Sequence, residues 1–413
     1  MKKSLIALAA LAAVSAASAQ SSVTLYGRMD IGYGSQLSEQ RGAASLRTRG
    51  IMDGAQQSNA IGFRGTEDLG GGLKANFVTE FGYNPTGLAQ LAGRNATAAQ
   101  QIGLSTAYPA GFTNTLGAVG ATPAVSAISP NNNRQSYLGL SSASMGTVNI
   151  GYQYTNVYEL STLSGYNIGT EGAPGAFTAH TFGNTFAGGV RANGVTYISP
   201  VFAGGFTVRA QYGAGGAVPE QNESITSAGV GTNNNTRRTS VMGQYANGPL
   251  SAALSYTTNR VDNAATAGTS RTGKLTQLGA SYDFGVAKVA GTINSGNDDG
   301  IGAGGVAGSG FGVASGTNTK YRSYQVGVAV PLGAFVPFIT AGRAYAETDG
   351  AGARAIDIRQ EQVGVRYSLS KRTLAYAFYG RSTDNAAQTA GLASTANSVY
   401  KDSKTVVGIA HSF

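Results

Sequence analysis

His180 and His411 are the only imidazoles in the 413 residues, and the chain has no cysteine. Nucleophilic catalysis needs a nucleophile beside a base that a third group orients. His180 sits in a Gly- and Thr-rich stretch with no acid nearby in sequence, and His411 shares the parity of the terminal Phe413, as an interfacial ring would. These residues do not support a phospholipase-type barrel enzyme. The lack of cysteine also excludes a zinc–thiolate site and a disulfide framework. The Gly-rich run 300–312 has no strand–helix context in which to cradle phosphate, so no cofactor and no metal is expected. What remains is charge: 29 Lys and Arg stand against 20 Asp and Glu, a formal net of +9. Such charges attract and sort ions, and how they do so depends on the elements that carry them.

The first nineteen residues read as an export signal. Lys2 and Lys3 precede an apolar run, Leu5 to Val14, and Ala17-Ser18-Ala19 is a small-residue cleavage site, so the mature chain is expected to begin at Gln20. The run is shorter than the roughly 20 apolar residues that span a bilayer. Removing Lys2 and Lys3 lowers the net charge from +9 to +7. No composition shift marks a boundary after residue 20, so 20–413 is read as a single domain.

Period-two alternation decides the fold class. Val23, Leu25, Met29, Ile31 and Tyr33 share one face, opposite Thr24, Tyr26, Arg28 and Asp30. Leu73, Ala75, Phe77 and Phe81 oppose Lys74, Asn76 and Glu80; Phe206, Val208 and Tyr212 oppose Arg209 and Gln211. Sixteen such segments begin near residues 22, 58, 73, 134, 147, 191, 205, 237, 250, 274, 286, 320, 335, 356, 373 and 404. Alternate connections are short, as at 67–72, 142–146, 247–249, 283–285, 331–334 and 370–372, while the rest are long and rich in Gly, Asn, Ser and Thr. Short turns at one rim and long loops at the other characterise a transmembrane antiparallel β-barrel with periplasmic turns and extracellular loops. A barrel of sixteen strands is too wide for side chains to fill, and its interior holds water. A secreted solenoid or adhesin would lack the short–long alternation. The basic balance, which in isolation suggests nucleic acid, is better explained by a lumen that attracts anions.

Particular residues resemble a known family. Ser22-Val23-Thr24-Leu25-Tyr26-Gly27 resembles the mature start of Gram-negative general diffusion porins, most closely those of betaproteobacteria. The run 61–75, Ile61-Gly62-Phe63-Arg64-Gly65-Thr66-Glu67-Asp68-Leu69-Gly70-Gly71-Gly72-Leu73-Lys74-Ala75, is similar to the family's strand–turn–strand signature. Arg134 to Leu140, Gly146 to Gly151, Tyr197 to Pro200 and the terminal Val407 to Phe413 fit as well, so the likeness covers the whole mature chain. The resemblance implies a homotrimer in the outer membrane, in contact with lipid and lipopolysaccharide, passing small solutes and ions. It also implies that Phe413 is the signal read by the outer-membrane assembly machinery, and that the third long loop, 157–189, folds inward as a constriction with Glu159 and Glu171 as its acids.

In such channels selectivity rests on inward charges near the constriction. Parity and distance from the mature N-terminus put Arg28 inward at mid-height, where related porins carry a lysine. Counting from the short turns puts Arg343 and Arg381 inward at middle height, with Arg64 and Lys74 lower and Glu80 among the pore-lining residues; Arg237 and Arg238 are read as rim charges. Ala60 and Tyr152 stand where the family usually has arginine, which argues for only moderate anion preference. The long stretch 84–133 carries one charge, Arg94, and its apolar content suggests a latch between subunits.

Overall fold

The computed structural model describes residues 22–40, 45–83, 85, 133–163, 168–170, 191–214, 234–263, 269–298, 319–348, 354–385 and 399–413. The export segment 1–19, the proposed latch, and Glu171 with the remainder of the third loop lie outside the described residues.

The chain forms β1 (Ser22–Gln40), β2 (Leu46–Asp53), β3 (Ala60–Gly70), β4 (Leu73–Gly82), β5 (Asn133–Ser142) and β6 (Gly146–Tyr154), then the helix α1 (Asn156–Leu163). It continues with β7 (Arg191–Ile198), β8 (Phe206–Ala214), β9 (Asn234–Asn247), β10 (Leu250–Asn263), β11 (Thr269–Asp283) and β12 (Lys288–Asp298). The last five are β13 (Thr319–Ala329), β14 (Phe335–Thr348), β15 (Arg354–Ser368), β16 (Thr373–Asp384) and β17 (Val399–Ser412). Neighbours pair antiparallel throughout, and β17 pairs back onto β1, from Arg28↔Ser412 to Gln40↔Val399. Phe413 completes this seam: its backbone N–H donates to Gly27 O at 3.0 Å and its carbonyl accepts from Gly27 N at 3.1 Å.

β2 and β3 occupy one position between them. β2 pairs with the upper half of β1, Ile31 to Ser38, and β3 with its lower half, Ser22 to Arg28. The wall is therefore a closed sixteen-stranded barrel, as the alternation implies, built from seventeen segments. β2 escapes a reading by periodicity because Arg47-Thr48-Arg49-Gly50 shows no apolar alternation.

The outer face exposes Leu138 at 71%, Ile150 at 61% and Ile293 at 58%, while Gln277, Asn294 and Ser323 of the inner face are buried. That inversion of a soluble protein suits lipid outside and a polar lumen within. Beside the short turns the outer face carries an aromatic girdle, including Phe206 against Tyr245 and Tyr282 against Phe284 with ring centroids 4.7 and 4.5 Å apart. In the turn between β3 and β4, Gly70, Gly71 and Gly72 take φ of +83°, +61° and +79°, conformations that a Cβ disfavours.

The inner wall is not uniformly polar. Tyr376, Phe378, Val406 and Ala410 point inward and form an apolar cluster with Phe338, Met52, Ala55 and Ile168. Gly32 and Gly408 face each other across the seam, and a Cβ on Gly408 would lie 2.3 Å from the Tyr376 hydroxyl oxygen. The glycine pair leaves the space in which Tyr376 reaches Asp30, its hydroxyl donating at 2.6 Å. Gly408→Val should displace that ring and destabilise the barrel by about 1–3 kcal/mol. The check is the temperature at which the compact, fast-migrating form converts to the unfolded band on a gel; no change would mean that the ring does not need the gap.

Candidate functional site

Chemistry in an open barrel belongs to the groups that face its lumen. α1 is the first of these. A helix of eight residues is too short to persist in water by propensity alone. It is held because Val157 and Leu160, one turn apart, are buried, with Leu160 against Met242 of β9 and Ala253 of β10. At its start Asn156 donates through Nδ2 to Ser240 Oγ at 3.0 Å and to the Arg209 carbonyl at 3.3 Å. The described start of the third loop, Asn156–Leu163, thus packs on the inner wall. Its later residues 168–170 reach β15: Gln362 Oε1 accepts from Thr170 N at 2.6 Å, and the Arg366 guanidinium donates to the Ile168 carbonyl.

A ladder of polar contacts runs from β1 to the helix. The Tyr26 hydroxyl donates to Glu80 Oε2 at 3.0 Å, and Glu80 Oε1 accepts from Arg134 Nε at 2.5 Å. Arg134 continues to Ser58 Oγ at 2.9 Å and to the Tyr154 hydroxyl at 2.8 Å. From the Tyr154 carbonyl the ladder passes to Arg209 Nη2 at 3.1 Å, and Arg209 Nη1 meets Glu159 Oε1 at 3.0 Å. Two arginines, Arg134 and Arg209, thus flank Tyr154 along one side of the lumen, and each is bridged to a carboxylate at its far end. Most of these guanidinium donors have acceptors, as buried charge requires.

The structure places the charges expected from the sequence in three groups. Arg28 points inward and donates through Nε and Nη2 to the Ser58 carbonyl at 2.9 and 2.5 Å. Glu80 and Glu159 lie in the ladder just described. Arg64 is inward but low, its guanidinium 5.1 Å from the centre of the Tyr26 ring. Lys74, opposite Asp68, is exposed at the turn rim.

Arg343 and Arg381 are a correction. Arg343 lies across from Arg359 and Tyr324, on the parity of exposed Ile339, and Arg381 lies across from Glu361 on the parity of exposed Tyr379. Both stand on the outer face. Arg343 is bridged to Asp357 at 2.6 Å and Arg381 to Glu361 at 3.7 Å. In β14 the apolar parity of Ile339 continues upward into Arg343, because above the hydrocarbon edge the outer face also meets polar surroundings. In β16 the inward residues Tyr376 and Phe378 are themselves apolar, which inverts the usual sign of the alternation.

Four inward arginines were not among the expected pore-lining charges. Arg134 is the extra residue of a β-bulge, where Glu80 pairs with Gln135 and Phe81 with Asn133, and the bulge re-aims its side chain. Arg209 lies on the polar parity of β8, a signal legible in the sequence. Arg238, read as a rim charge, is 4% exposed on the inner wall opposite Asn259, and its Nε and Nη1 find no partner among the described residues. Arg366 holds the third loop through Ile168 and lies 4.8 Å from the centre of the Phe338 ring.

Comparison with known proteins agrees with this architecture. The pattern of the Gram-negative porin family matches residues 7–387. The chain is 31% identical to outer membrane porin protein 32 of Delftia acidovorans over the whole of both chains. It is also 31% identical to an outer membrane porin protein of Bordetella pertussis, over 92% of this chain and 93% of that one. Among solved structures, the anion-selective porin from Comamonas acidovorans shares 25% identity at a TM-score of 0.64, covering 95% of this chain and 100% of its own. The outer membrane channel DcaP of Acinetobacter baumannii shares the fold at 16% identity and a TM-score of 0.58, over 95% and 97% of the two chains. A closed sixteen-stranded wall, apolar outside and polar within, with an inward third loop and a sequence matched along most of its length, makes this chain a member of the Gram-negative porin family, an outer-membrane channel for passive diffusion.

Proposed function

We propose that this porin prefers anions moderately and works as a homotrimer, with Phe413 read during assembly. The observation that carries the anion preference is the excess of cations on the inner face. Arg28, Arg134, Arg209, Arg238, Arg366 and Lys404 stand there, against Asp30, Glu80, Glu159 and Asp402. The preference is moderate because Arg134 and Arg209 are each bridged to a carboxylate, which cancels much of their long-range field. The likeness to an anion-selective porin supports the same reading. Arg64 and Lys74 add positive charge near the periplasmic mouth, where they steer anions more than they select them. Lipid and lipopolysaccharide would meet the outer face, where Arg343 and Arg381 stand above the apolar band.

Arg28→Gln and Arg209→Gln, measured in planar bilayers under asymmetric salt, should each move the zero-current potential toward cations. The shift should be larger at low ionic strength, where the screening length is about 30 Å rather than about 10 Å. Zero-current potentials unchanged in both variants at low salt would sink the proposal that these side chains act on the permeation path.

Deleting Phe413 separates signal from packing. The residue forms two backbone bonds with Gly27, so its loss should modestly lower the stability of the barrel refolded in detergent. In cells the amount of folded protein in the outer membrane should fall much further than that. A cellular loss no greater than the loss in detergent would reduce Phe413 to a packing residue.

A further inference from the structure

The connection between β2 and β3 is six residues long, Gly54 to Asn59, although a regular ladder needs two. Arg28 pairs with Ala60 and Ile31 with Asp53, so only Met29 and Asp30 of β1 lie opposite the gap. The surplus leaves the wall on the side toward which Arg28 and Asp30 point, into the lumen. We propose that Gly54–Asn59 is a second constriction element of the channel, independent of the third loop, and that Asp30 is the residue that positions it.

The bonding supports a built element rather than a slack bulge. Asp30 Oδ2 accepts from Gln56 N and from Gln57 N, both at 2.7 Å. Oδ1 accepts from the Tyr376 hydroxyl, the Asp30 carbonyl accepts from Gly54 N at 2.9 Å, and Asp30 N donates to Asn59 Oδ1 at 2.6 Å. Asp30 itself is 0% exposed. A buried carboxylate of this kind is tolerable only because donors surround it, and here they are supplied by the insert and by β16. Farther along, Ser58 is held through its carbonyl by Arg28 and through its hydroxyl by Arg134.

The insert also has an apolar footing. Ala55 and Met52 lie in the same cluster as Tyr376, Phe378 and Val406 of the inner wall and Ile168 of the third loop. Two separate pieces of chain therefore rest on one apolar patch inside the barrel. Of the six residues only Gln57 is not buried, which puts its side chain at the tip, toward the open lumen. Arg28 thus has a second role, since it ties the insert down while contributing charge nearby.

Deleting Ala55–Ser58 leaves Gly54 opposite Asp30 and Asn59 opposite Met29, which restores an uninterrupted ladder with unchanged parity above and below. The single-channel conductance of that variant should rise by about half to twofold, with larger uncharged polymers admitted, because the element that narrows the lumen is gone. The positioning role has its own readout. Asp30→Ala should make the open-channel current fluctuate between levels, whereas Asp30→Asn, which keeps one oxygen for the two amide N–H groups, should stay quiet. Should the deletion fail to fold, Gln57→Cys decides, since the natural chain has no other thiol to react. A charged thiol reagent added to the open channel should then lower the current stepwise, with cationic and anionic reagents moving the zero-current potential in opposite directions. A folded deletion variant with native conductance, or a reagent without effect on Gln57→Cys, would overturn the proposal.

Discussion

Inside a bilayer no water is available to an amide, so each N–H and C=O of the wall must be paired within the chain. The seam between β1 and β17 is where this constraint is met or lost, since without it the sheet would have two open edges. Thirteen register pairs from Arg28↔Ser412 to Gln40↔Val399 close it, and the Phe413 backbone extends it by one more rung to Gly27. Because the wall has no edge, its outer face is free to be apolar and its inner face to be polar. Everything that distinguishes this channel from a generic barrel is therefore mounted on the inner face.

What is mounted there is held by charge and by apolar contact together. The third loop is fixed at its start by the burial of Leu160 on β9 and β10, and at residues 168–170 by Gln362 and Arg366 of β15. Across the seam Tyr376 donates to Asp30, whose carboxylate also accepts from the backbone of Gln56 and Gln57. A water-filled lumen would hydrate any single loose segment, and the ordering entropy of each one opposes its docking. Tyr376, Phe378 and Ile168 offset that cost by removing apolar surface from the lumen water. An apolar patch inside a polar lumen marks the place where the chain covers its own wall.

The guanidinium groups serve two ends that pull against one another. Arg134 satisfies Glu80, Ser58 and Tyr154, and Arg209 satisfies Glu159 and the Tyr154 carbonyl. Such ties stiffen the lumen but leave less of each charge to act at a distance. Arg238 differs, since two of its nitrogens have no partner among the described residues although it is buried on the wall. On the proposed reading, selectivity in this channel is the charge left over after these ties.

The sixteen-stranded wall was legible in the sequence because lipid on one side and water on the other impose alternation with a period of two. Val23 to Tyr33 shows it directly, and the Gly70–Gly72 turn and its counterparts mark one rim. Arg28, Glu80 and the inward course of the loop at Glu159 were legible for the same reason, or through the likeness of neighbouring motifs. The sequence did not reveal β2, whose Arg47 and Arg49 lie on the outer face beyond the alternating segments. Nor did it reveal the bulge at Arg134, because an extra residue shows only against the register of its partner strand. Arg343 and Arg381 were misplaced because alternation names a face only while its two sides differ, and that difference fades above the hydrocarbon or where an inward Phe378 packs under a loop. The sequence by itself determined the closed wall, its two faces and its two rims. Which charges meet on the inner wall, and that Asp30 gathers Gln56, Gln57 and Tyr376, only the tertiary structure decided, because those contacts join residues up to 346 positions apart.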